Sequence, residues 1–170
     1  MLLWAGAATL TIRGSMKSKV GKRLEKSIMR AALTVLGLSE ERGDFRLNVA
    51  ADDEVARETD AEVRTPRGWL RMEVGMIGQG NTEVISDKVG RMDRNGVILM
   101  DFIPTRSTAY TTAAQNHVKL IQMRNNHPVE ELRQHLHHLK VAVQDESITT
   151  DEVERRVLSM DAKHFGEGKA

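Results

Sequence analysis

Arg57-Glu-Thr-Asp-Ala-Glu-Val-Arg64, then Thr65-Pro-Arg-Gly68, then Trp69-Leu-Arg-Met-Glu-Val-Gly-Met-Ile77, read as strand, turn and strand. With 65–68 as the turn, Arg64 faces Trp69, Glu62 faces Arg71 and Asp60 faces Glu73. Pro66 and Gly68 also suit a type I turn with a bulge, which would slip the pairing by one residue. Periodicity decides between the two. Leu70, Met72, Val74 and Met76 form one apolar face, with Arg71 and Glu73 on the other. Glu58, Asp60, Glu62 and Arg64 share one face of the first strand, with Thr59, Ala61 and Val63 on the other. Polar meets polar only in the first register, because a slip by one residue turns every side chain to the wrong face. Opposed residues hold their Cβ atoms ~5 Å apart. Two carboxylates at that range must bind a divalent cation, share a proton or face water.

The composition belongs to a folded protein with a real core. Hydrophobic residues make up 40% and charged residues 29% of 170 positions. There is no cysteine, which excludes disulfides, thiolate zinc sites and cysteine nucleophiles. The expected compartment is the cytoplasm, and no apolar run approaches the ~18 residues of a membrane span. The net charge of +1 hides an uneven distribution. Arg13, Lys17, Lys19, Lys22, Arg23, Lys26 and Arg30 stand against Glu25 alone, and residues 40–62 lean acidic. A basic segment beside an acidic cluster suits an anionic substrate brought to a metal site, and equally a solvated helix followed by an acidic loop.

Outward from the hairpin, Val20, Leu24, Ile28, Ala31, Ala32, Val35 and Leu36 recur at helical spacing, predicting a helix over 15–38 that ends at Gly37. Phe45–Val49 predicts a first strand. Gly78-Gln-Gly-Asn81 predicts a loop, with a helix following to Met92. Asn95-Gly96 predicts a turn, and Val97–Ile103 a buried strand. Helices are expected over 111–125, 129–143 and from Thr149 or Thr150 to Met160. The organisation expected is an apolar N-terminal stub (1–14), a core (15–125), a C-terminal helical extension (126–165) and a disordered tail (166–170). The stub resembles the end of a buried element, so an N-terminal portion of a longer ancestor is expected to be missing. His135, His137 and His138 lack zinc-motif spacing and are expected on a polar helix face.

The element order, with an acid on the second strand and another on the third, resembles the PD-(D/E)xK nuclease fold, and within it the type II restriction endonucleases. The stretches that carry the resemblance are Lys19-Val-Gly-Lys-Arg-Leu-Glu25, Arg57–Glu62 and Glu73–Arg91. It covers residues 15–137 or so. It implies an α/β fold: a mixed sheet on an α-β-β-β-α-β core, flanked by helices, with extra helices at the C-terminus. In that pattern Asp60 and Glu73 take the two acidic positions, and Glu25 takes the helical acid that assists a metal. Glu58 and Glu62, on the face of Asp60, are alternative acids. The pattern departs in one place, because Gly75 stands where the family has a lysine. Lys88, on the following helix, is the substitute, since its stem is long enough to reach the site.

The resemblance implies a Mg²⁺-dependent endonuclease acting on double-stranded DNA as a homodimer. Asp60, Glu73 and Lys88 are its expected catalytic residues, with metal at Asp60, Glu73 and Glu25. Lys19, Lys22, Gln79, Asn81 and Arg91 are the expected DNA contacts. Hard carboxylate oxygens suit Mg²⁺, which acts as a Lewis acid, and a lysine can orient the nucleophile and offset phosphate charge. From the residues alone, Asp60 and Glu73 are equally solvated strand residues, and Lys88 a surface lysine paired with Glu83 or Asp87. The rival function is a nuclease-fold DNA-binding module without catalysis.

Overall fold

The basic amphipathic stretch after residue 18 forms α1 (Lys19–Val35). Its last turn closes as a Schellman motif. Gly37, at φ 84°, donates its N–H to Thr34, and Leu38 donates to Leu33. The computed structural model of the protein describes residues 19–49, 59–76 and 82–160. The stub 1–14, Glu58, Gln79, Asn81 and the tail 166–170 lie outside them.

Among the described residues, five strands make one mixed sheet in chain order: β1 (Phe45–Val49), β2 (Thr59–Thr65), β3 (Gly68–Gly75), β4 (Val97–Met100) and β5 (Lys119–Gln122). The first three are antiparallel neighbours, while β3, β4 and β5 run parallel. The hairpin takes the expected register, with Thr65 opposite Gly68, Arg64 opposite Trp69 and Glu62 opposite Arg71. Gly68 sits at φ 123°, a backbone state that only glycine adopts without strain.

Alternation along the strands builds two layers. Ala61, Val63, Leu70, Met72, Val74, Val97, Leu99 and Ile121 pack with Met29, Leu33 and Leu36 of α1. On the other face, α2 (Thr82–Arg91) and α3 (Ala109–Gln115) lay Ile85, Val89, Ala109 and Ala113 over Ile98, Met100 and Leu120. β4 is therefore covered on both faces, which is why it reads as an unbroken apolar run. The helices α4 (Pro128–His138) and α5 (Thr150–Leu158) contribute Leu132, Leu136, Val153 and Val157 to the α1 layer.

Two expected helices are corrected. Residues 111–125 do not form a single helix: α3 stops at Gln115, and β5 occupies 119–122. His117 sits at φ 56°, its N–H reaching Ala114 and that of Val118 reaching Ala113. This is the same Schellman closure as in α1, made without glycine. The helix expected over 129–143 ends early for the same reason. Lys140, at φ 63°, bonds His137, and Val141 bonds Leu136.

The segment behind α4 is tied down by Glu130. Its carboxylate takes two bonds from Arg133, at 2.8 and 2.9 Å, and one from the Ile148 N–H at 2.9 Å. Chiefly the Arg133 bonds, with help from Ile148 and Gln134, hold its pKa down to about 2. His135 is not on a polar face as expected. It is half-buried with Nε2 3.1 Å from the Asn95 carbonyl, and burial pushes its pKa down.

Two outcomes follow for stability. His117→Gly removes left-handed strain from a side-chain-bearing residue and should stabilise the fold by roughly 0.5–1 kcal/mol, read from urea unfolding midpoints. Glu130 has a depressed folded pKa, so its contribution is complete above its ordinary value of 4.5 and is lost as pH falls towards about 2. Glu130→Gln should lower the melting temperature at neutral pH and flatten its dependence on pH across that acidic window.

Candidate active site

The alternation that turns Val74 and Met72 towards α1 turns Glu73 and Arg71 the other way, to the side of α2. The β2–β3 ladder runs from Thr65↔Gly68 to Ala61↔Met72. One residue further on, the Asp60 carboxylate itself accepts the Val74 N–H at 2.8 Å. A side chain has replaced a main-chain partner there, and it brings the Asp60 carboxylate to the backbone beside Glu73. Neither acid is solvated freely: Asp60 is half-buried, and the Glu73 side chain is 12% exposed.

Lys88 comes to the same point from the last turns of α2. Ile85 and Val89 fix that helix against Ile98 and Met100, which aims Lys88 back over the end of β3. Its Nζ donates to Glu73 Oε2 at 2.7 Å. The alternative pairing with Asp87 is not made, because Asp87 binds Arg91 at 2.8 Å.

Gly75 shows why the cation comes from this helix. A Cβ on Gly75 would lie 2.3 Å from Met100 Sδ, 2.6 Å from Met100 Cε and 3.7 Å from Lys88 Cδ. The buried thioether of Met100 fills the place where a side chain at 75 would begin. The Lys88 stem passes beside that place and carries an ammonium to the neighbouring carboxylate.

Glu25 lies on α1, which packs on the face of the sheet lined by Ala61, Val63 and Met72. It is half-exposed there. Among the described residues, no three His, Asp or Glu side chains converge as a metal-binding group. Glu62 is only 6% exposed and engaged. Arg46 of β1 donates to it through Nε at 2.7 Å, and Arg71 Nε lies 3.7 Å away. The cross-strand pair with Arg71 was legible in the hairpin, whereas Arg46 was missed. No turn signal fixes the β1–β2 register, so nothing in the sequence set Arg46 opposite Glu62. Arg91 Nη2 pairs with the Asp87 carboxylate at 2.8 Å, and its Nε donates to the Asp87 main-chain carbonyl at 3.1 Å. Lys19 and Lys22 lie on the first turns of α1.

The arrangement is two carboxylates and one ammonium at the carboxyl end of β3, on a face partly screened from water. That set can hold a hard cation and an anionic ester together.

Comparison with known proteins gives a family for the chain. Residues 1–108 match the family model described as CfrBI restriction endonuclease. The chain is also 34% identical over 142 residues to "Type II restriction enzyme CfrBI" of Citrobacter freundii, a match that covers 72% of this chain and 39% of that enzyme. The chain thus spans well under half the length of its curated relative. No solved structure matches it significantly. With an acid on each strand of the hairpin, a lysine delivered from the next helix and a family match across most of the chain, the protein belongs to the CfrBI restriction endonuclease family.

Proposed function

We propose that this chain carries the phosphodiester-cleaving centre of a type II, sequence-specific endonuclease acting on double-stranded DNA. Asp60 and Glu73 bind the divalent cation, and Lys88 serves the nucleophile. The observation that carries this reading is the convergence of Lys88 and Glu73 at 2.7 Å beside a glycine whose Cβ position is filled by the Met100 thioether.

The donor set fits magnesium. That ion is commonly held by one or two carboxylates, with water and phosphate oxygens completing the shell. Two acids suffice for one ion, and Glu25 is the acid that assists with a further metal or its water. Bound there, Mg²⁺ supplies Lewis acidity towards the phosphoryl oxygen and towards water.

The protein's own groups do the positioning. The Val74 N–H fixes one oxygen of Asp60, orienting the carboxylate towards the end of β3. Lys88 neutralises Glu73 and sets a positive charge where a phosphate approaches. It can also orient the attacking water, since an ammonium donates three hydrogen bonds. Family resemblance supports a homodimer, with one such centre for each DNA strand.

A plasmid-nicking assay tests this reading. Wild type should nick in Mg²⁺ and not in EDTA, and Asp60→Ala should abolish nicking while retaining duplex binding. Lys88→Ala should slow cleavage by roughly 10²–10⁴-fold without loss of fold. Wild type that binds duplex and never cuts it would establish the non-catalytic DNA-binding module instead.

A further inference from the structure

The catalytic face does not end at Arg71. Along β3, Trp69, Arg71 and Glu73 point to the same side, and across the sheet they meet Arg64, Glu62 and Arg46. The ion pairs Arg46–Glu62 and Arg71–Glu62 place these groups on one surface. Arg71 also reaches Asp93, at 3.3 Å, on the connection after α2. At the outer end the Arg46 guanidinium lies 4.3 Å from the centre of the Trp69 ring. Trp69 is 43% exposed, and the Arg46 side chain 48%.

Among the described residues, no helix lays apolar side chains over this part of the sheet, and its outer edge at Trp69, Arg46 and Arg64 is exposed. The apolar contacts of α2 and α3 fall on β4 and β5, and α1 packs on the opposite layer. A large indole left in water, with its ring against a guanidinium, is an unusual surface choice for an apolar group. The charge around it is positive. Arg46, Arg64 and Arg71 outnumber Glu62 and Asp93, both already engaged by arginine, and Arg67 adds a further cation at the turn.

We propose that the Arg46–Trp69 platform is a DNA-strand contact, holding the duplex to one side of the bond that is cut. The inference rests on the endonuclease reading and adds to it the place where the flanking strand lies. Trp69 stands four residues from Glu73 on one strand, a separation of roughly 13 Å at ~3.3 Å per residue. That corresponds to about four base steps of B-form DNA. The indole packs against a deoxyribose or a base edge, and Arg64 and Arg67 meet phosphates on either side. Two features select nucleic acid over a protein partner: the excess of guanidinium over carboxylate, and the surface's continuity with the proposed catalytic carboxylates.

Fluorescence anisotropy of a labelled random-sequence duplex in EDTA tests this apart from catalysis. Trp69→Ala should weaken binding about tenfold with an unchanged melting temperature, and Trp69→Phe should restore most of it. Arg64→Ala and Arg67→Ala should each lower the salt-dependence slope by about one unit. Should Trp69→Ala lower the melting temperature, Trp69→Phe and the two arginine variants carry the test. Wild-type affinity in Trp69→Ala, with wild type binding DNA, would overturn this contact and leave the endonuclease reading standing. No duplex binding by wild type would overturn both. Loss of self-association in Trp69→Ala with DNA affinity intact would make the platform a protein interface and end the proposal.

Discussion

A carboxylate withdrawn from water needs a partner, and for Glu73 that partner is Lys88 at 2.7 Å. The pair binds helix to sheet by charge where the rest of the contact is apolar. α2 meets β4 through Ile85, Val89, Ile98 and Met100, and Lys88 extends that contact to β3. Breaking such a pair on one side would strand the other charge in a poorly solvated place. Its position also constrains the neighbours. The Met100 thioether fills the space beside Gly75, and it lies there because β4 runs parallel beside β3 in that register.

Much of the sheet was legible because alternation has only two phases. Leu70, Met72 and Val74 opposite Ala61 and Val63 leave a single hairpin register that buries carbon and not charge. Helix ends were less legible, and the reason is specific. α1 stops at a glycine, which announces itself. α3 and α4 stop with the same hydrogen bonds at His117 and Lys140, residue types common inside helices. The expected helix over 111–125 therefore ran across a fifth strand, whose short stretch Val118-Lys-Leu-Ile121 fits either period.

The site divides in the same way. Asp60 and Glu73 belong to one hairpin, so local pairing alone sets them near each other. Lys88 is fifteen residues from Glu73, yet one helix packed over one strand fixes its reach. Glu25 and Arg46 depend on how separate elements dock. The first lies on a helix of the opposite layer, and the second is set by a strand pairing that no turn announces. Sequence order says little about either.

The α1 layer has another implication, for the order in which the chain is made. Arg156 of α5 donates to the Val35 carbonyl at 2.8 Å, across 121 residues of sequence. Leu33 and Leu36 share their apolar cluster with Val153 and Val157. At a synthesis rate of about 5–20 residues per second, the stripe on α1 leaves the ribosome roughly ten seconds before the helix that completes its cover. Until that helix arrives, the stripe on α1 has only part of its final apolar cover.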